Sequence, residues 1–205
     1  MNEYLPTKTN LMRIQDSIRL SKQGQELLER KRMILVKEKE KYEEKANNLK
    51  MQMQTLFSEA YLLLQDACID MGMEKIAVLA NGIKKENSID IKYRTIMGVE
   101  IPSVIWKEQE ENQKLNYGFY ETTISLDKAV LKFNEIKEKM LILAELENTV
   151  MRLELSIIKV QTRSNALQNI IIPENEKIEK SIQNALEEKE REDFSRLKVV
   201  KRRKA

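Results

Sequence analysis

Apolar residues recur along the first third of the chain at alternating steps of three and four: Leu11, Ile14, Ile18, Leu28, Leu35, Tyr42, Ala46, Leu49, Met53, Leu56, Ala60, Leu63 and Ala67. Ser21, Gln25, Arg32 and Lys39 fill the remaining positions of the stripe. A repeat of about 3.5 residues marks a helix that buries one narrow face against a partner helix. Carried by one helix from about residue 9 to about residue 71, it predicts a rod on the order of 90 Å long. Pro6 with Thr7 or Thr9 suits its start, and Gly72 weakens its end. "EKIAVLANG" then reads as a short second helix closed by Asn81-Gly82.

The period changes in mid-chain. In "SIDIKYRTIMGVEIP" the residues Ile89, Ile91, Tyr93, Met97, Val99 and Ile101 fall on odd positions, broken only at Thr95. That alternation predicts a strand ending at Pro102. "KLNYGFYETT", with Tyr117, Gly118, Phe119 and Thr122, is the expected antiparallel partner across the polar stretch Lys107–Gln113, so a small hairpin including Gly98 interrupts the helical pattern.

A second long helix begins near Ser125, expected as its N-cap, with Asp127 in the first turn. Its seam runs Leu126, Ala129, Phe133, Ile136, Met140 and Leu143, slips phase, and continues through Leu146, Val150, Leu153, Ile157, Val160, Ser164, Leu167 and Ile171. The two successive steps of three at the slip would overwind a coiled coil locally. Beyond Pro173 the pattern resumes with Ile178, Ile182 and Ala185. The fold class is therefore mainly α: two long helices in an antiparallel coiled coil, with a short helix and a small β-hairpin between them. A symmetric parallel dimer is the alternative, but it leaves the hairpin awkwardly placed. The expected divisions are 1–72, 73–123 and 124–205.

Composition supports exposed helices over a compact globule, since 34% of residues are charged and 5% aromatic, with five Gly and three Pro. Lys and Arg number 36 against 33 Asp and Glu, so both signs are interspersed and nucleic acid is not the default partner. The single Cys68 leaves no internal disulfide, and "MNEYLPTKTN" lacks the features of a secretory leader. A cytoplasmic location is expected. Apolar runs such as "LIL" and "III" are too short to span a bilayer, so membrane association would come through a partner.

No catalytic constellation stands out. The chain has no histidine and no phosphate-binding G-x-x-x-x-G-K-[ST] loop. Pairs such as Asp66 with Asp70 or Glu187 with Glu188 sit in helical charge patterns, where they face solvent. No cofactor or metal is expected. Cys68 and the ten methionines read as core packing. The basic end "RLKVVKRRKA" follows the acidic "EEKEREDF" and reads first as a solvated face; nucleic acid or anionic lipid is the other reading.

Particular motifs carry a resemblance. Pro6-Thr7-Lys8, Gly24-x-x-Leu27-Leu28-x-x-Lys31-Arg32, "MGVEIP" at Met97–Pro102, "RSNAL" at Arg163–Leu167 with Ile172-Pro173, and "LEEKEREDFSRLKVVK" at Leu186–Lys201 lie in order along nearly the whole chain. In these the sequence resembles the D subunit of the V-type and A-type ATPases and ATP synthases, the central rotor shaft. Thr162 departs from the family, which usually has a second arginine beside Arg163.

The resemblance implies a left-handed antiparallel coiled coil whose terminal tip enters a hexamer of catalytic and non-catalytic subunits. It implies a non-catalytic role in transmitting torque to a membrane ion-translocating ring. The implied partners are the hexamer, the small F subunit, and the central-stalk C (d) subunit that links to the ring. No nucleic acid and no direct membrane insertion are implied, and the location is peripheral to the membrane within the complex. Candidate hexamer contacts are Lys8, Lys31, Arg32, Arg163, Arg191, Arg196, Lys198, Lys201, Arg202 and Arg203. Met51, Met53, Met71 and Met73 are candidates for an adaptable surface toward the F subunit.

Three features keep two readings each. Pro173 lacks a backbone donor and clashes with the carbonyl four residues back, so it either bends the helix and sets the eccentricity of the tip or separates two helices. Arg32 and Lys39 either snorkel out of the seam or keep the upper rod from sticking inside its sleeve. The hairpin either caps the coiled coil or regulates turnover. On the heptads alone, a static coiled-coil scaffold or tether is the alternative function.

Overall fold

A computed structural model describes residues 5–82, 89–106, 117 and 122–204. The elements are α1 (Lys8–Met71), α2 (Met73–Gly82), β1 (Ile89–Ile96), β2 (Val99–Trp106), α3 (Ile124–Ala166), a π-helical turn (Leu167–Ile171) and α4 (Ile172–Lys204). The chain forms two compact units, one of residues 1–34 with 157–205 and one of residues 35–156.

The heptad reading of α1 holds residue by residue. Every seam position from Leu11 to Ala67 is buried or half-buried, the four polar ones included. Thr7 is the N-cap: its hydroxyl accepts the Asn10 N–H at 3.3 Å, and its carbonyl accepts that of Leu11 at 3.0 Å. At the other end Gly72 has φ +85°, and its N–H reaches the Cys68 carbonyl at 3.0 Å. A side chain there would be strained, so glycine ends the helix and lets α2 begin.

In the first unit α1 lies antiparallel to α4. Ile14 and Ile18 are buried with Ile182, flanked by Leu11, Ile178 and Leu186. Lys8 pairs with Glu190 and Lys22 with Glu176, so rising numbers on one helix meet falling numbers on the other. In the second unit α1 lies antiparallel to α3. Met53, Ala60 and Ile136 form its core with Leu49, Leu56, Phe57, Phe133 and Leu143. Lys39 meets Glu154, Lys50 meets Glu147, and Glu59 meets Lys132. Ala60 is fully buried in this core, where Phe133 also packs. A small residue on one helix accommodates a large one on its partner.

The hairpin differs from the expectation. β1 pairs with β2 in the register Ile89↔Trp106 to Ile96↔Val99, so the turn lies at Met97-Gly98, inside the segment read as one strand. Met97 has φ 51° and Gly98 φ 79°, the two positive values of a type I′ turn. The apolar residues on both arms share an odd-numbered pattern, which hid the reversal. Pro102 does not end the strand; it sits within β2 opposite Tyr93. Pairs alternate outward from the turn, which makes Tyr93↔Pro102 a non-hydrogen-bonded pair, where a missing N–H costs the ladder nothing. The expected partner "KLNYGFYETT", with Gly118 and Phe119, and the polar stretch Lys107–Gln113 lie outside the described residues except for Tyr117, Thr122 and Thr123, and none of these three is in a strand.

Two further details depart from the sequence reading. Thr123, not Ser125, precedes the first turn of α3: its carbonyl accepts the N–H groups of Leu126 and Asp127 at 3.1 and 3.4 Å. Ser125 instead donates to Asp70 Oδ2 at 2.7 Å. At the phase slip Met140 is exposed and Thr149 is buried. The observed steps of three run Leu143, Leu146 and Thr149, each about 60° short of a full turn, so the seam comes round to Thr149. Its hydroxyl is satisfied by the Glu145 carbonyl at 2.8 Å.

Candidate functional site

In the second unit α3 holds the hairpin by the open edge of β2. In the alternation set by the turn, the Glu100 carbonyl and the Val104 N–H point away from β1, and Pro102 between them has no donor to satisfy. Val104 N–H donates to Glu145 Oε2 at 2.9 Å, and Arg152 Nη1 donates to the Glu100 carbonyl at 3.2 Å. Glu145 and Arg152 are seven residues apart, two turns along one face of α3, so they match two edge groups of one strand. Arg152 also lies over the Tyr93 ring, 5.3 Å from its centroid. Arg94 approaches Glu145 at 3.9 Å and donates to the Tyr42 hydroxyl of α1 at 3.3 Å. Val99 and Ile101 are buried, while Ile89, Ile91, Tyr93 and Met97 are exposed. Nothing in the sequence singled out Glu145 or Arg152, because no local signal says where a distant strand will land.

Near the start of α3, the Tyr117 hydroxyl donates to Asp127 Oδ1 at 2.6 Å. Burial, with the hydrogen bond and the carboxylate charge added, pushes this phenol well above its ordinary range.

The first unit carries the basic candidates. Every residue from Glu187 to Arg203 is exposed, including Lys198, Lys201, Arg202 and Arg203. Arg191 is 3.8 Å from Glu187 and Arg196 is 3.4 Å from Glu192, each pair one turn apart on α4. Lys8 is exposed and reaches Glu190 at 3.3 Å, and Arg163 is exposed in the last turn of α3. Lys31 is half-buried. Arg32 is committed within its own helix: Nε donates to Glu29 at 2.9 Å, which raises the guanidinium pKa and lowers that of the carboxylate. Arg32 and Lys39 both turn their charged ends to carboxylates, the geometry of snorkelling side chains.

The methionine set is divided. Met53 is core, Met71 is half-buried, and Met51 and Met73 are exposed. Among the described residues, no three of His, Cys, Asp and Glu are grouped to hold a metal ion, and no helix is long and apolar enough to cross a membrane.

The whole-chain comparison decides what such an arrangement belongs to. The family model for the D subunit of ATP synthase matches residues 10–202. The chain belongs to the ATP synthase D-subunit family. It is 38% identical to the V-type ATP synthase D subunit of Thermotoga neapolitana over 98% of both chains. It is 35% identical to the A-type ATP synthase D subunit of Methanopyrus kandleri, over 98% of this chain and 87% of that one. The A-type ATP synthase D subunit of Pyrococcus horikoshii is 36% identical over 96% and 92% of the two chains.

In this member of the D-subunit family the recognised motifs coincide with structural exceptions. "MGVEIP" is the hairpin turn and the docked half of β2, and "RSNAL" ends α3 and enters the π-helical turn. The motif beginning at Leu186 is, from Glu187 onward, the exposed end of α4. Thr162, which takes the place of the expected arginine, is exposed and donates its hydroxyl to the Ile158 carbonyl at 2.9 Å.

Proposed function

We propose that the chain is the central-stalk rotor component of a V-type or A-type rotary ATPase or ATP synthase. It is a non-catalytic part that carries torque between the catalytic hexamer and the membrane ion-translocating ring. The observation that supports this reading most is a family match over nearly the whole chain on paired antiparallel helices. Torque requires a part whose cross-section resists twist, and two interlocked helices resist it better than one.

In this reading the exposed end of α4 meets the hexamer, with Lys198, Lys201, Arg202 and Arg203 free to approach acidic loops. Arg191, Arg196, Lys8, Lys31 and Arg163 contribute beside them. Arg32 contributes only if it leaves Glu29. Pro173 bends α4 and sets the eccentricity of the end. Met51 and Met73, with Met71, offer apolar surface to the F subunit, and the central-stalk C (d) subunit makes the link to the ring. The complex is peripheral to the membrane on its cytoplasmic side.

Reconstitution tests the proposal. The purified chain is mixed with the catalytic hexamer, with and without the F subunit, and a bead is fixed near the hairpin. Stepwise rotation during ATP hydrolysis is the expected result. Assembly without rotation would instead identify a static coiled-coil scaffold.

A further inference from the structure

In the first unit the seam of α3 runs Ile157, Val160, Ser164 and Leu167, in steps of three, four and three. Continued in the same rhythm, it would pass through Ile171, Glu174, Ile178, Ser181 and Ala185. The structure exposes Ile171, Glu174 and Ser181 and buries Ile172 and Ile182. Between Leu167 and Ile172 the seam therefore takes a step of five, and beyond it the buried positions, Ile172 and Ile182, lie one residue later, while Ile178 and Ala185 of the unshifted rhythm are only half-buried. The step coincides with the π-helical turn Leu167–Ile171, which closes with the Ile172 N–H donating to the Leu167 carbonyl five residues back.

We infer that this π-turn is a one-residue phase insertion that sets which face of α4 meets α1, and that the packing beyond it holds it in place. One extra residue would turn a regular α-helix by about 100°. Widening a single turn absorbs that rotation locally. It brings Ile182 into the cluster with Ile14 and Ile18 and leaves Glu174 and Ser181 outward. Pro173 suits the wide turn. It has no N–H for the Asn169 carbonyl, and its ring would strike that carbonyl in a regular α-helix. On α1, Gly24 faces Leu167, where a Cβ would make an ordinary contact with Leu167 Cδ1 at 3.9 Å. Pro173 therefore fits a turn that the seam already requires. The inference concerns the chain itself and holds whether or not the chain rotates.

The test uses the full chain with Cys68→Ser and a reporter pair, Ser17→Cys with Asn175→Cys. These positions are chosen because Asn175 Nδ2 donates to Ser17 Oγ at 3.3 Å across the two helices. A short thiol-reactive crosslinker reports the phase of α4. Three changes are then compared: deletion of Asn169 in a Pro173→Ala background, insertion of one alanine after Asn169, and Pro173→Ala alone. Deletion removes the surplus residue and, with the proline gone, the turn closes as regular α-helix, so crosslinking and thermal stability are retained relative to Pro173→Ala. Insertion adds a second surplus residue, and crosslinking is lost. Pro173→Ala keeps the crosslink, because Ile172 and Ile182 still hold the phase. Loss of crosslinking or of folding on deletion overturns the phase role, as does retention after insertion. Loss in Pro173→Ala overturns the claim that packing holds the turn.

Discussion

Single residues settle where the hairpin sits. Glu145 accepts an otherwise unpaired edge donor, the Val104 N–H, and a hydrogen bond to a charged group contributes about 1.5–3 kcal/mol. Glu145→Ala is expected to speed hydrogen exchange at the Val104 amide by about tenfold or more, whereas Glu145→Gln, which keeps an acceptor, has a smaller effect. Unchanged exchange in the alanine variant would show that Arg152 and the buried Val99 and Ile101 suffice. Tyr117 gives a pH dependence of known sign. Its folded-state pKa lies above the ordinary phenol value of 10.0 because burial, then the bond to Asp127, disfavours the phenolate. The contribution is thus complete below that value and is lost as pH rises above it toward the folded-state pKa. Stability of the wild-type chain should fall faster in strong alkali than that of Tyr117→Phe, measured by chemical denaturation across the alkaline range.

At the scale of elements, the seam and the turn carry the free energy. Ile136 is buried in the core of the second unit beside Met53 and Ala60. Ile136→Ala is expected to cost about 2–5 kcal/mol, and Leu131→Ala on the exposed face of the same helix less than about 0.5 kcal/mol. Equal losses in thermal unfolding would contradict the seam. In the hairpin, Met97 holds a left-handed conformation that asparagine adopts more readily, and Asn-Gly is the favoured type I′ pair. Met97→Asn should therefore stabilise the hairpin by about 0.5–1 kcal/mol, read as slower exchange of the Ile96 and Val99 amides. The register was hidden in the sequence because Met-Gly is a weak turn signal and both arms carry apolar residues at the same parity. A strand reads clearly from alternation, but a reversal that preserves the alternation does not.

At the scale of the whole molecule, charge placement bears on assembly. Lys198, Lys201, Arg202 and Arg203 are exposed on the last turns of α4, beyond the buried cluster around Ile182. Replacing all four with glutamine should leave thermal stability close to that of wild type, and slow association with the hexamer most at low ionic strength. Association rates measured across a salt series decide this, and a rate independent of the four charges would remove them from the interface.

The sequence by itself determined the class of fold, the seam of α1, the turn to strand in mid-chain and the family, because each is written in periods or ordered motifs a few residues long. Only the tertiary structure decided the pairing of β1 with β2, the landing of that hairpin on Glu145 and Arg152, and the one-residue shift at Leu167–Ile171. These depend on groups that meet across long stretches of chain. An edge amide has no partner until a helix arrives beside it, and a surplus residue in a helix is invisible until the partner helix shows which face is buried.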